Sequence, residues 1–324
     1  MFELIRPDTH FDFIGKWKYC VAGSIAIILL GAAAIPTIGI RWGIDFVGGT
    51  EVQVRFAEGV QADEGKIRDA VQSVGVGEPS VVRYGDADTS PEFLIRFQGG
   101  AEDQGAQQNV VVDRIQKAVS EQVGALSVDR VEFVGPKVGA ELRRAGIKSM
   151  LIAFALILVY VGFRFSIQFA PGGVIALIHD VLVTSSIWLL CGQQFDLQVL
   201  AALLALIGYS INDTIVIFDR IREVMGLHTA QDLPAVINQA INQTLSRTIL
   251  TSGATLLAVT ALVLVGGEVI FPFAATMAIG IVVGSYSTVY IAAPIMLLLS
   301  DRSKAGESKL PPKVKSGKKA KARA

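Results

Sequence analysis

Four ionisable side chains stand in or against apolar runs where Leu or Val would be safe. His179 and Asp180 interrupt the run 169–192, Asp213 interrupts 197–218 within "SINDTIVIFDRIRE" (210–223), and Arg247 precedes a run that begins at 249. A charged residue at the centre of such a run costs about 2.5–3.5 kcal/mol on insertion scales. Side chains of this kind face a bundle interior and mark ion or proton paths. The chemistry on offer is a carboxylate that gains and loses a proton. On a helix, Tyr209, Ser210, Asp213 and Arg220 share one face, with Asn212 beside them. Thr244, Arg247, Thr251 and Thr255 form a stripe on the next run. Arg247 then has two readings, a positively charged anchor at the membrane boundary or an ion-pair partner of Asp213. Asp213 itself could cap or pair locally near the interface, and the residues alone leave these alternatives open.

The elements that position these groups follow from composition. Of 324 residues, 52% are hydrophobic and 18% charged, with a mean hydropathy of +0.51. Soluble domains average about 25% charged residues, so the balance is that of a membrane protein. A spanning helix needs about 20 mostly apolar residues. Six segments qualify: 19–40, 145–163, 169–192, 197–218, 249–267 and 273–299. Cys20 and Cys191 border apolar runs at opposite faces and carry no metal-ligand or nucleophile spacing.

Between the first two spans lies the one large polar insert, 41–144, with 12 Lys+Arg against 17 Asp+Glu. Its runs "EVQVRF" (51–56), "SVVRYG" (80–85), "EFLIRF" (92–97) and "SVDRVEFVG" (127–135) alternate with period two, as strands do. Residues 62–74 and 104–123 carry the helical period. The expected fold is therefore a six-span α-helical membrane protein with one α+β domain of order βαββαβ, a ferredoxin-like sandwich. Lys and Arg near the span ends set the orientation. They occur at Arg6, Lys16, Lys18, Arg164, Arg220, Arg222 and Arg247, and nine follow in the tail, whereas 192–196 and 266–271 have none. The expected order is a cytoplasmic N-terminus (1–18), span one (19–40) and an extracytoplasmic domain (41–144). Spans two to six (145–299) follow, with a cytoplasmic loop at about 219–246, and then a basic disordered cytoplasmic tail (300–324). "AAA" at 32–34 resembles a cleavage site, but the apolar run continues to Ile40, so an uncleaved anchor is expected.

"WGIDFVGGT" (42–50) leads into the outer domain. Gly48-Gly49 before a strand reads as a tight turn needing positive φ, and no nucleotide-loop spacing accompanies it. Gly280 and Gly284, four apart in the last span, permit close helix approach. The tail's cations can attract anionic lipid headgroups. Topology anchoring accounts for them as well, and no specific nucleic-acid partner is implied.

Several motifs in order resemble the SecF family of protein-export membrane subunits, relatives of the resistance–nodulation–division transporters. They are "GIDFVGGT", "VEFVGPKVG" (131–139), "VYVGFRF" (159–165), "ALIHDV" (176–181), "IGYSINDTIVIFDRIRE" (207–223) and "TLSRTILTSG" (244–253). The likeness runs from about residue 15 to 299. It implies a subunit of the bacterial cytoplasmic membrane that works with SecD beside the SecYEG channel, with YajC and YidC as accessory neighbours. Such a subunit uses the proton-motive force to complete translocation of unfolded preproteins. The resemblance also implies Asp213 and Arg247 as a proton-pathway pair, with His179, Asp180 and Asn212 as further candidates. Asp45, Gly48 and Gly49 match its motif at the mouth of the outer domain. It implies no enzyme activity, metal or cofactor.

Three rivals remain in view. A proton-driven small-molecule or lipid exporter of the same superfamily usually needs a larger outer domain or two such insertions. An intramembrane aspartyl protease needs two close carboxylates sharing a proton, and its GxGD signature is absent. A scaffold leaves the charges within the spans unexplained.

Overall fold

The computed structural model describes residues 9–57, 59–77, 79–84, 91–97, 106–165, 169–227 and 232–307. Six helical segments are long and apolar enough to cross a membrane by length and composition. The first is α1 (Trp17–Ile38), entered through a short 3-10 turn at Ile14–Lys16 and closed by Gly39 at φ 74°. Its buried positions, Ser24, Gly31 and Ala34, are small. They let it lie close on the third spanning helix, where a Cβ added to Gly31 would meet Ser186 Cβ at 2.6 Å.

A one-turn helix α2 (Ile44–Val47) precedes the sheet domain. There, strands β1 (Gly49–Phe56), β2 (Ser80–Tyr84), β3 (Glu92–Phe97) and β4 (Leu126–Val134) alternate with helices α3 (Glu64–Gln72) and α4 (Ala106–Gln122) in the order βαββαβ. The strands lie in the order β2-β3-β1-β4, each neighbour antiparallel, with a bulge at Gln53/Val54 where β1 meets β4. Period-two burial sends Val52, Val54 and Phe56 of β1, with Phe93, Ile95 and Phe97 of β3, into one core. Ile67, Val71, Ile115 and Val119 of the two helices cover it. Asp63 starts α3 by accepting from the Gly65 and Lys66 N–H groups, satisfying two of its orphan donors.

The remaining helices are α5 (Pro136–Arg164), α6 (Ala170–Leu190), α7 (Leu197–Leu227), α8 (Leu233–Val265) and α9 (Gly267–Ser287), continued through a π-helical turn (Thr288–Ala292) into α10 (Ala293–Glu307). Hydropathy bounds a span, not a helix, and here the two differ. α5 begins nine residues before the apolar run at 145, launched by Pro136 at its first position. The loop expected at about 219–246 is largely helix, because α7 runs on to Leu227 and α8 starts at Leu233. Polar first and last turns continue a helix already nucleated in the apolar stretch at little cost. At the other end, α10 carries helix to Glu307, into the segment expected as disordered. The tail beyond it, 308–324, and Arg6 lie outside the described residues.

The π-helical turn has a local cause. Pro294 has no N–H to donate and its ring crowds the carbonyl four residues back, so the helix widens just ahead of it.

Candidate functional site

Three helices form the interior. Of the apolar stretches, 56% of α6 and 50% of α7 are buried, and 39% of the α9–α10 segment, against 17%, 11% and 17% for α1, α5 and α8. The ionisable residues of α6 and α7 therefore stand at the centre of the bundle. Small residues bring the helices together there. A Cβ on Gly280 would meet Leu206 Cδ2 at 2.6 Å, and one on Gly284 would meet Ser210 at 3.2 Å and Asp180 Oδ2 at 3.7 Å. Gly284 thus both packs α9 against α7 and leaves room for a polar pair between α6 and α7.

That pair is Asp180 with Ser210. Asp180 is 1% exposed, and Ser210 Oγ donates to its Oδ2 at 2.5 Å. His179 Nδ1 lies 3.0 Å from the other oxygen. The His179 Nε2 is buried without a hydrogen-bond partner, and its ring stacks on Tyr286, centroids 6.3 Å apart. Tyr286 in turn donates to the Cys20 carbonyl of α1 at 2.6 Å. One helical turn beyond Ser210, Asp213 is 4% exposed and accepts from Ser252 Oγ of α8 at 3.0 Å. Thr214 Oγ1 lies 3.3 Å from Thr288 Oγ1 at the π-helical turn, where backbone carbonyls freed from regular pairing are often used functionally.

The arrangement is a seam of two carboxylates, each held by one serine hydroxyl, crossing four helices. The buried hydroxyls of Thr184, Tyr209, Thr248 and Thr276 also lack partners. An unpaired buried hydroxyl costs about 1–3 kcal/mol. Among the described residues no three His, Cys, Asp or Glu side chains are grouped to hold a metal ion, and Cys20 and Cys191 are free.

The structure does not bring every candidate together. Asn212 points away from the seam and is exposed. Arg220, expected on the Asp213 face, pairs instead with Gln243 Oε1 at 2.8 Å and Glu223 Oε2 at 2.5 Å. Arg247 is exposed on the outer side of α8 and makes no ion pair among the described residues, reaching Asp213 only through space. The Thr251 and Thr255 hydroxyls of the expected stripe bond back to their own helix, at the carbonyls of Arg247 and Thr251. The inward face of α8 is instead Thr244, Thr248 and Ser252, four apart. Ser252 was therefore missed by sequence reasoning. Ser210 was placed on the Asp213 face, but nothing in its spacing announced Asp180 across the helix boundary.

Asp45, Gly48 and Gly49 build a joint at the other end of α7. Gly48 and Gly49 have φ of 86° and 153°, and a Cβ on Gly48 would lie 2.8 Å from Pro136 Cα. Both chain connections of the sheet domain thus converge at this point. Asp45 Oδ2 accepts the Leu197 N–H, the first of α7, at 3.0 Å.

The chain is similar to known proteins over most of its length. Residues 114–302 match the family described as protein export membrane protein SecD/SecF, C-terminal, and 33–60 match the SecD/SecF GG motif. The protein translocase subunit SecF of Magnetococcus marinus is 42% identical over 305 residues, 93% of this chain and 96% of that one. The subunit of the same description from Escherichia coli O157:H7 is 38% identical, covering 92% and 90%. The crystal structure of SecDF, a translocon-associated membrane protein from a Thermus species, superposes with a TM-score of 0.79 at 32% identity. That match covers 91% of this chain and 39% of that longer one. With the glycine joint, the seam-bearing helices and most of the chain's length all matched, the chain belongs to the SecF family of protein-export membrane proteins.

Proposed function

We propose that the chain works with a SecD partner as a proton-driven subunit of the Sec translocase. In this reading it completes translocation of preproteins across the bacterial cytoplasmic membrane after ATP-driven initiation. Both termini lie in the cytoplasm, and the 41–144 domain, a ferredoxin-like sandwich, lies outside. The observation that carries the reading is Asp213, a carboxylate buried mid-helix with a single serine donor. Such a group is costly unless its protonation is used. Alternating access of this site to the two sides couples proton movement to rearrangement of the bundle and of the outer domain. His179 and Asp180, bonded to Ser210 one helical turn before Asp213, extend the path.

The apolar stretch of α8 is only 17% buried, and that exposed face, with Arg247 at its cytoplasmic end, is where a second subunit's helices belong. SecD closes that face, with SecYEG beside the pair.

Two experiments test this. Cells lacking the chain should accumulate unprocessed preprotein and show no change in resistance to small toxic compounds. A resistance defect with normal export would instead favour a small-molecule exporter. For topology, a reporter joined after Gly75 should read as extracytoplasmic and one joined after Arg222 as cytoplasmic. The reverse at either position rejects the six-span arrangement.

A further inference from the structure

The sheet domain touches the membrane bundle at more than its two covalent connections. The turn between α6 and α7 (191–196) is a socket for it. Trp42 bridges in parallel to Phe195, with the Gly43 N–H donating to the Phe195 carbonyl and the Phe195 N–H donating to that of Arg41, both at 2.7 Å. The Arg41 guanidinium donates to the Gly192 carbonyl at 3.1 Å. Asp45 and Asp196 between them take two of the orphan donors of α7, the N–H groups of Leu197 and Val199, at 3.0 and 2.8 Å. Arg41, Trp42, Gly43 and Asp45 precede the Gly48-Gly49 hinge, and through these partners in 192–199 they stay with the bundle.

Among the described residues, the side chain of Arg96 crosses the hinge. It donates to Gln194 Oε1 at 3.0 Å while its Nε, on β3, pairs with Glu51 of β1 at 2.5 Å. Gln194 lies two residues before Asp196, whose carboxylate feels the Arg96 charge.

We propose that the sheet domain is a hinged arm latched to the head of α7 through Arg96, Gln194 and Asp196, and that opening this latch couples the domain's position to the helix carrying Asp213. Arg96 and Asp196 are then positioning residues for the proton-driven step. The physical grounds are three. The hinge is narrow, because Gly48 and Pro136 are packed backbone to backbone. The domain's own core is closed without the socket. The link across the hinge is polar and small, so it can break while each side remains folded. When it breaks, Glu51 keeps Arg96 on the domain, and the arm leaves with its own counterion.

The latch also responds to acid. Burial, and after it the neighbouring Asp45, push the Asp196 carboxyl above the usual carboxylate range, against the Val199 N–H bond and the Arg96 charge that favour ionisation. The charged groups around it are Asp45 on α2, Arg96 on β3 with Glu51 behind it, Arg143 of α5, which lines a pocket together with Asp196, and Arg41 on the socket carbonyl. An ionised Asp196 attracts Arg96 through space while Gln194 bonds it directly. As pH falls through its raised pKa the carboxyl becomes neutral and that attraction is lost, so acid on this side frees the arm.

The use of the latch in export rests on the proton-driven reading above, but its opening is measured without export. In the full chain reconstituted in lipid, with Cys20 and Cys191 replaced by Ser, spin labels at Gln72→Cys and Gln193→Cys report the distance between arm and socket. One short distance is expected at about pH 8, and the population at longer distance should rise severalfold as the pH is lowered to about 4, the ordinary carboxylate range, where a carboxyl of raised pKa is mostly neutral. Asp196→Asn and Arg96→Gln should each show the longer population at both pH values, and Gln194→Ala, which alters no charge, should raise it while retaining the pH response. A distribution unchanged with pH, or an Asp196→Asn protein indistinguishable from the parent at about pH 8, overturns the latch. A normal distance response beside failed export would instead count against the proton-driven reading.

Discussion

Asp213→Asn should abolish the response of export to a proton gradient while leaving ATP-driven initiation intact. Asparagine keeps the outline of the side chain and can still accept the Ser252 hydroxyl, so the α7–α8 contact survives. What it removes is titration. One charge crossing 100 mV supplies about 2.3 kcal/mol, which corresponds to about 50-fold in an equilibrium constant. Stimulation of export by an imposed gradient should therefore fall by about that factor in inverted vesicles, with SecD retained in the complex. Asp213→Glu keeps the proton but lengthens the side chain past Ser252, and part of the stimulation should return. Wild-type stimulation in the Asn variant would reduce Asp213 to a structural contact.

Gly48→Ala carries the largest expected cost in folding. Its φ of 86° lies where an L side chain is strained by about 1–2 kcal/mol. The added Cβ would also lie 2.8 Å from Pro136 Cα and N and 3.0 Å from the Val134 carbonyl, all backbone atoms that cannot rotate away. Overpacking of that kind costs about 1–3 kcal/mol more. Gly75→Ala is the control, because Gly75 has a similar φ of 82° but open space around it. Thermal unfolding of the full chain in detergent should show Gly48→Ala losing about twice the stability of Gly75→Ala or more. Equal losses would mean that the two connections of the sheet domain are not clamped together. The strain also bears on function, since a displaced hinge would pull Asp45 from the first turn of α7.

The central strands β1 and β3 were legible because alternate side chains, Val52, Val54 and Phe56 and Phe93, Ile95 and Phe97, face the core, and that alternation shows without reference to any neighbour. The spanning helices were legible because about 20 apolar residues have few other stable environments. Asp213 stood out for the same reason, as a charge where the local environment demands none. Helix ends were not legible: α7 and α8 outrun their apolar stretches, since hydropathy marks where lipid ends and says nothing of where backbone pairing ends. The partners of the buried groups were decided only by tertiary structure. Ser252 faces Asp213 because α8 turns its Thr244–Thr248–Ser252 row inward, and Arg247, three residues along from Thr244, is carried to the outside by the same rotation. Asp180 meets Ser210 because Gly284 has no side chain to hold α7 and α9 apart. A helix of one sequence can present any face to its neighbours, and that choice is made by which small residues let which backbones approach.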